Sequence, residues 1–120
     1  MNVNTLINLT PHTINLVSAA NAWSFPPSGQ IARCTVERVR VSNIWLGEPG
    51  DPTTQDIVPV NTVRYGDIEG LPAPRIGVAY IVSSLVASAL HGSRPDVLVP
   101  DDTIRDDQGR IVGCQAFARI

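Results

Sequence analysis

The side chains in this sequence that could do chemistry sit in three short polar clusters, each at the end of an apolar run. Leu6-Ile7-Asn8-Leu9 leads into Thr10-Pro11-His12, Val78-Ala79-Tyr80-Ile81-Val82 into Ser83-Ser84, and Val97-Leu98-Val99 into Pro100-Asp101-Asp102. If these runs are neighbouring parallel strands, their carboxyl ends gather one histidine, three hydroxyls and two carboxylates on a single rim. Open α/β sheets bind ligands at such rims. A helix opening at Ser83 or Ser84 would add free N–H groups and a favourable dipole for phosphate. The Gly-rich turn of a P-loop or a dinucleotide fingerprint is missing from this stretch. Arg94 suits an anion, or equally a salt bridge to Asp96. His12 could act as a base or contact a base or sugar, and it also fits a plain turn. Asp101 and Asp102 could serve acid–base work or cap an Asx turn; as an extended pair they point to opposite sides and form no metal clamp. Ser83, His12 and Asp101 assemble a hydrolytic triad on paper, without the Gly-x-Ser-x-Gly elbow that would position a nucleophile.

The elements that must position these groups follow from periodicity. Residues 3–9 and 13–17 read as two strands broken at Pro11, which cannot donate to a ladder. Residues 19–25 read as a connector carrying Trp23, and Pro26-Pro27-Ser28-Gly29 as a turn. Residues 30–41 alternate apolar and polar through Arg-Val-Arg-Val, a half-buried strand with Arg38 and Arg40 on one face. The segment 46–56, with two glycines and two prolines, reads as a mobile loop. Residues 58–65 form a short strand broken at its start by Pro59. Val78–Val82 is a continuous apolar run, the pattern of a central buried strand. A two-turn helix over 85–90 follows, stopped at His91-Gly92. Residues 97–99 form a strand, and 103–105 with 110–117 a closing hairpin. The expected architecture is a single α/β (α+β) domain over residues 1–120, a mixed, mostly β sheet of about six short strands with one short helix near 84–91.

Composition narrows the function classes. The charged fraction is 17%, below the ~25% of ordinary domains, and the net charge is −2. Such a balance gives no bulk attraction to nucleic acid, and a sparsely charged surface points to a homo-oligomer. All nine basic residues are Arg, the outcome of a GC-rich coding genome or of a need to grip carboxylate and phosphate in a two-pronged geometry that Lys cannot match. Cys34 and Cys114 lie outside any zinc-type spacing and read as free thiols, so no metal or cofactor is expected. Neither a membrane span nor a signal peptide is read, which makes the cytoplasm the expected location.

Several motifs together resemble a family of small proteins encoded by bacteriophages, prophages and some bacteria. They are Asn8-Leu9-Thr10-Pro11-His12, Pro26-Pro27-Ser28-Gly29 before Ala32-Arg33, and Tyr65-Gly66 with Gly70-Leu71-Pro72-Ala73-Pro74. They continue as Tyr80-Ile81-Val82-Ser83-Ser84-Leu85-Val86-Ala87, Asp96-Val97-Leu98-Val99-Pro100-Asp101, Arg105-Asp106 and Gly109-Arg110-Ile111-Val112-Gly113-Cys114. The resemblance spans most of the chain outside residues 42–56 and transfers no catalytic residue. It implies a setting: small phage proteins counter host defence, in some cases by sequestering nucleotide signals. The sequence therefore leads to a non-catalytic protein binding a phosphate-bearing, nucleotide-type ligand. Ser83, Ser84 and Arg94 would hold phosphate, Thr10 and His12 would contact base or sugar, and Asp101 would complete the rim. The alternatives are a protein–protein module (an inhibitor of a host enzyme, or a virion or assembly component) and a small hydrolase. An exposed apolar patch around Trp23, Phe25 and Trp45 would mark the protein–protein module.

Overall fold

A computed structural model describes residues 3–120, which divide into two compact units. The larger comprises residues up to Cys34 and from Ile68 onward; the smaller runs from Thr35 to Asp67. The chain is mostly β with one short helix, an α+β fold, as its periodicities predict. Its elements are β1 (Thr5–Asn8), β2 (Ile14–Val17), β3 (Ala22–Phe25), β4 (Arg33–Leu46), β5 (Asp56–Glu69), β6 (Val78–Ile81), α1 (Ser84–Leu90), β7 (Val97–Arg105) and β8 (Ile111–Ala118). No helix among the described residues is long and apolar enough to cross a membrane.

The larger unit holds a six-stranded sheet in the order β1-β6-β7-β8-β2-β3. The β1, β6 and β7 strands run parallel, with Asn8 opposite Ile81 and Ile81 opposite Leu98. All four residues of β6 are buried, which is why its sequence is an unbroken apolar run. Parallel neighbours need a crossover, and α1 provides it between β6 and β7. Ser83 caps the helix by accepting from the Val86 N–H at 3.3 Å. His91 ends it in a left-handed conformation, φ 52°, so the stop lies at the histidine rather than at Gly92 alone.

The core lies between α1 and one sheet face. Leu9, Val78, Tyr80, Val82, Val97 and Val99 meet Val86 and Ala87 there, with Ala32 alongside. Tyr80 is fully buried, and its hydroxyl donates to the Ala73 carbonyl at 3.3 Å. β7 and β8 form the closing hairpin; Asp106 holds its loop by accepting from the N–H groups of Gln108 and Arg110. At the sheet's two edges, Asn8 of β1 donates to the Phe25 carbonyl of β3 at 2.9 Å, so the sheet is nearly closed.

Three expectations are corrected. Residues 22–25 form an edge strand paired antiparallel with β2, not a connector: Ala-Trp-Ser-Phe alternates too briefly to stand out from a loop. The strand β7 does not end at Val99. It passes through Pro100-Asp101-Asp102 because β8 supplies the ladder; Asp102 takes φ 50°, and the ladder's register shifts between Ile104 and Arg105. The short strand expected at 58–65 is the middle of the 14-residue β5.

The smaller unit is a two-stranded ribbon of β4 and β5. The loop between them, residues 47–55, reaches at most about 30 Å, whereas a 14-residue strand is ~46 Å long, so the two strands run antiparallel. Asp51 organises the loop by accepting from the Thr53 N–H and hydroxyl. These two hydrogen bonds hold its carboxyl below the usual carboxylate range. Residues 40–50 are all exposed.

Candidate functional site

Two of the three polar clusters follow neighbouring parallel strands, β1 and β6, and share a rim; the third lies within β7. A cavity of about 380 Å³ opens there, lined by Leu9, Thr10, Pro11, Ile31, Ala32, Arg33, Cys34, Ser83, Leu85 and Val86. Its walls are apolar, and its polar groups are few: the Thr10 and Ser83 hydroxyls and the Arg33 guanidinium. That is the usual make-up of a small-ligand pocket.

Asn8 builds the corner that carries Thr10 and His12. It is 2% exposed and makes every hydrogen bond its amide can usefully make. Its Nδ2 donates to the carbonyls of His12 at 2.7 Å and Phe25 at 2.9 Å. Its Oδ1 accepts from the Thr10 N–H at 2.9 Å and the Thr10 hydroxyl at 2.7 Å. The Thr10 hydroxyl proton is thus committed within the corner, and the residue is a structural member of the cavity wall. Sequence reading treated Asn8 as part of an apolar run; its position two residues before Thr10, where an Asx-type bond forms, is the signal that was there to read.

Six residues were expected at the rim, and the structure separates them. Thr10 and Ser83 line the same cavity. Exposed His12 closes the Thr10 corner through its backbone, and its ring has no hydrogen-bond partner among the described residues. Ser84 is exposed in the first turn of α1. Asp101 lies within β7 opposite Ala116, outside the cavity lining. Arg94 precedes β7, at the opposite end of the parallel strands from Ser83. There its guanidinium forks onto Asp96, with Nε–Oδ1 and Nη2–Oδ2 both at 2.9 Å, and also donates to the Pro72 carbonyl at 2.8 Å. The Arg94 hydrogen bond pulls the Asp96 carboxyl below its usual range, and Asp96 in turn raises Arg94. This pair is a structural clasp, the salt-bridge alternative of the sequence reading. Ser83, His12 and Asp101 are not joined by hydrogen bonds, so no triad is assembled.

The charge that Arg94 was expected to bring to the rim comes from Arg33 instead. Arg33 is exposed, borders the cavity and has no hydrogen bond or ion pair among the described residues. Its sequence signal was its place directly after Ala32, a buried residue whose N–H is fixed by the Leu9 carbonyl at 3.0 Å. Cys34, next in line, also borders the cavity, and the buried Cys114 is a free thiol pushed up by desolvation.

A second hollow, of about 430 Å³, lies on the sheet face turned away from α1 and is lined chiefly by Leu6, Leu16, Trp23, Phe25, Leu98 and Phe117. The Trp23 and Phe25 rings lie parallel, centroids 6.5 Å apart, and Trp23 is half exposed. Among the described residues no group of three or more His, Cys, Asp or Glu side chains is placed to hold a metal ion.

These features define a small α+β domain with a polar-rimmed cavity at the carboxyl ends of parallel strands. Comparison with family models, with curated proteins and with solved structures finds no match to this chain.

Proposed function

We propose that this protein binds a small, phosphate-bearing, nucleotide-type ligand in the cavity at the ends of β1 and β6, without catalysis. One observation supports the reading: the Arg33 guanidinium has no partner among the described residues and borders a cavity of about 380 Å³ that Ser83 also lines. Arg33 offers the two-pronged donor geometry that phosphate accepts, and Ser83 can still donate its hydroxyl proton. Pro11, Ile31 and Leu85 supply apolar wall against which a flat base can lie. In the phage setting that the sequence resemblance implies, such a protein acts by sequestration: it lowers the free concentration of a nucleotide-derived immune signal.

Native mass spectrometry with a panel of linear and cyclic nucleotides tests this. An unmodified adduct is expected on the wild-type protein, at least tenfold weaker in Arg33→Ala and retained in folded Arg94→Ala. Absence of any adduct overturns the reading, and consumption of a nucleotide replaces it with the hydrolase alternative.

The second reading, a protein–protein module, is favoured by a different observation. Trp45 is 68% exposed and shares one ribbon face with exposed Val41, while exposed Ile44 and Leu46 share the other. Exposed apolar side chains concentrated on one short element mark interaction surfaces.

A further inference from the structure

We infer that the β4–β5 ribbon is a self-association element: the β4 edges of two copies pair antiparallel about a two-fold axis near Val41. This goes beyond the ligand site and does not rest on it.

The ribbon taken by itself is incomplete. A two-stranded hairpin is marginal in water and gains stability when a third strand or another packed layer covers it. Here residues 40–50 are exposed throughout, so the outer part of the ribbon has no core of its own. It nevertheless carries Val41, Ile44, Trp45, Leu46, Ile57 and Val63 as exposed apolar side chains.

The two edges of the ribbon differ. β5 contains Pro59, which removes a ladder donor and is a common guard of strand edges. β4 contains neither Pro nor Gly over its 14 residues and is rich in β-branched side chains. Its free edge is therefore the one fit to accept another strand. Pairing residues 37–46 of two copies would close about ten backbone hydrogen bonds.

The charges select a second copy, and the antiparallel direction, over other occupants. From residue 41 to residue 63 the only charged residues are Glu48, Asp51 and Asp56, a net −3 toward the loop end. The opposite end of the ribbon, residues 35–40 and 64–67, carries Arg38, Arg40 and Arg64 against Glu37 and Asp67, a net +1. An antiparallel pair sets the acidic loop end of each copy beside the arginine end of the other. Facing residues of such a pair share one side of the sheet, so with the axis at Ser42, next to Val41, Arg38 of one copy faces Leu46 of the second and Glu48 is its diagonal neighbour on the same side. A parallel pair would stack like charge on like charge.

Sedimentation velocity from about 1 to 200 µM, with circular dichroism to confirm folding, tests the proposal. The wild-type protein is expected to dimerise. Arg38→Glu/Arg40→Glu is expected to weaken the dimer at least tenfold, and mixing that variant with Glu48→Arg/Asp56→Arg to restore a heterodimer. Hydrogen exchange on the wild-type chain needs no variant: amides of residues 37–46 should gain protection with concentration, and those on the outer edge of β5 should not. A monomer throughout this range overturns the proposal, whether or not another protein is later found on the ribbon. So does a dimer indifferent to charge reversal, or concentration-dependent protection confined to β5.

Discussion

The six-stranded sheet and the β4–β5 ribbon are built from the same β-branched and aromatic residue types, put to opposite uses. In the sheet, Val78, Tyr80, Val82, Val97 and Val99 are buried against α1. In the ribbon, Val41, Ile44 and Trp45 are exposed. Strand-forming propensity is therefore no guide to where stability resides: it depends on whether a second layer covers the strand. The sheet has that layer in its own crossover helix. The ribbon, as a single hairpin, has to find it elsewhere.

The sharpest way to break this contrast is to cut a large side chain from each region. Tyr80→Ala should cost about 3–5 kcal/mol, the range for deleting a buried aromatic ring, seen as a lower urea midpoint. Trp45→Ala should change the stability of the monomer by less than about 0.5 kcal/mol, as surface substitutions do. Equal effects would mean that the ribbon is covered within one chain.

Next in size is the corner that joins the sheet's edges. Asn8→Ala leaves the Thr10 N–H and the His12 and Phe25 carbonyls without their partner, at about 1–3 kcal/mol for buried groups left unmade. The measurable companion is faster hydrogen exchange at Thr10. Unchanged exchange there would show that the corner holds without Asn8.

The Arg94–Asp96 clasp gives the sheet a pH signature that rests on an ion pair, whereas in the ribbon Asp51 is lowered by hydrogen bonds from Thr53 alone. Asp96 has a folded pKa below its unfolded value because Arg94 donates to it, so its contribution is full above an unfolded carboxylate's ~3.9. That contribution disappears as pH falls through the lower folded value. Asp96→Asn should cost about 2 kcal/mol at neutral pH, the scale of a hydrogen bond to a charged group, and should flatten the acid limb of a stability–pH curve. An acid limb as steep as in the wild-type protein would move the titration to other carboxyls.

The smallest contrast compares two glycines within the sheet unit. Gly29 and Gly70 both have positive φ, 96° and 80°. A methyl at Gly29 meets nothing within 4 Å, whereas one at Gly70 runs into the Ile31 carbonyl. Gly29→Ala should cost about 1–2 kcal/mol from the left-handed conformation alone, and Gly70→Ala measurably more. Equal melting temperatures for the two variants would show that the Ile31 backbone yields freely.

Much of the sheet was legible. Residues 78–82 announced a central strand because a parallel strand covered on both faces has no polar side to alternate with. Ser83 announced the cap of α1, and Asp106-Asp107-Gln108-Gly109 the closing turn. Arg94 misled as a rim residue because an arginine two residues from an aspartate reads equally as a ligand group or as half of a clasp. Only the topology puts it at the far end of the strands. Asp101 misled because Pro-Asp-Asp has turn chemistry, and the partner strand β8 overrode it. Arg33 went unremarked because its importance lies in what folds beside it.

By itself, the sequence determined the mostly β character, the buried central strand, the short capped helix and the polar ends of two strands, because periodicity and capping are local physics. The tertiary structure decided which of those ends share a cavity, which arginine stands free and which is clasped, and which apolar strands are covered. Those outcomes depend on strand order and crossover direction, set by contacts between residues tens of positions apart that no local pattern records.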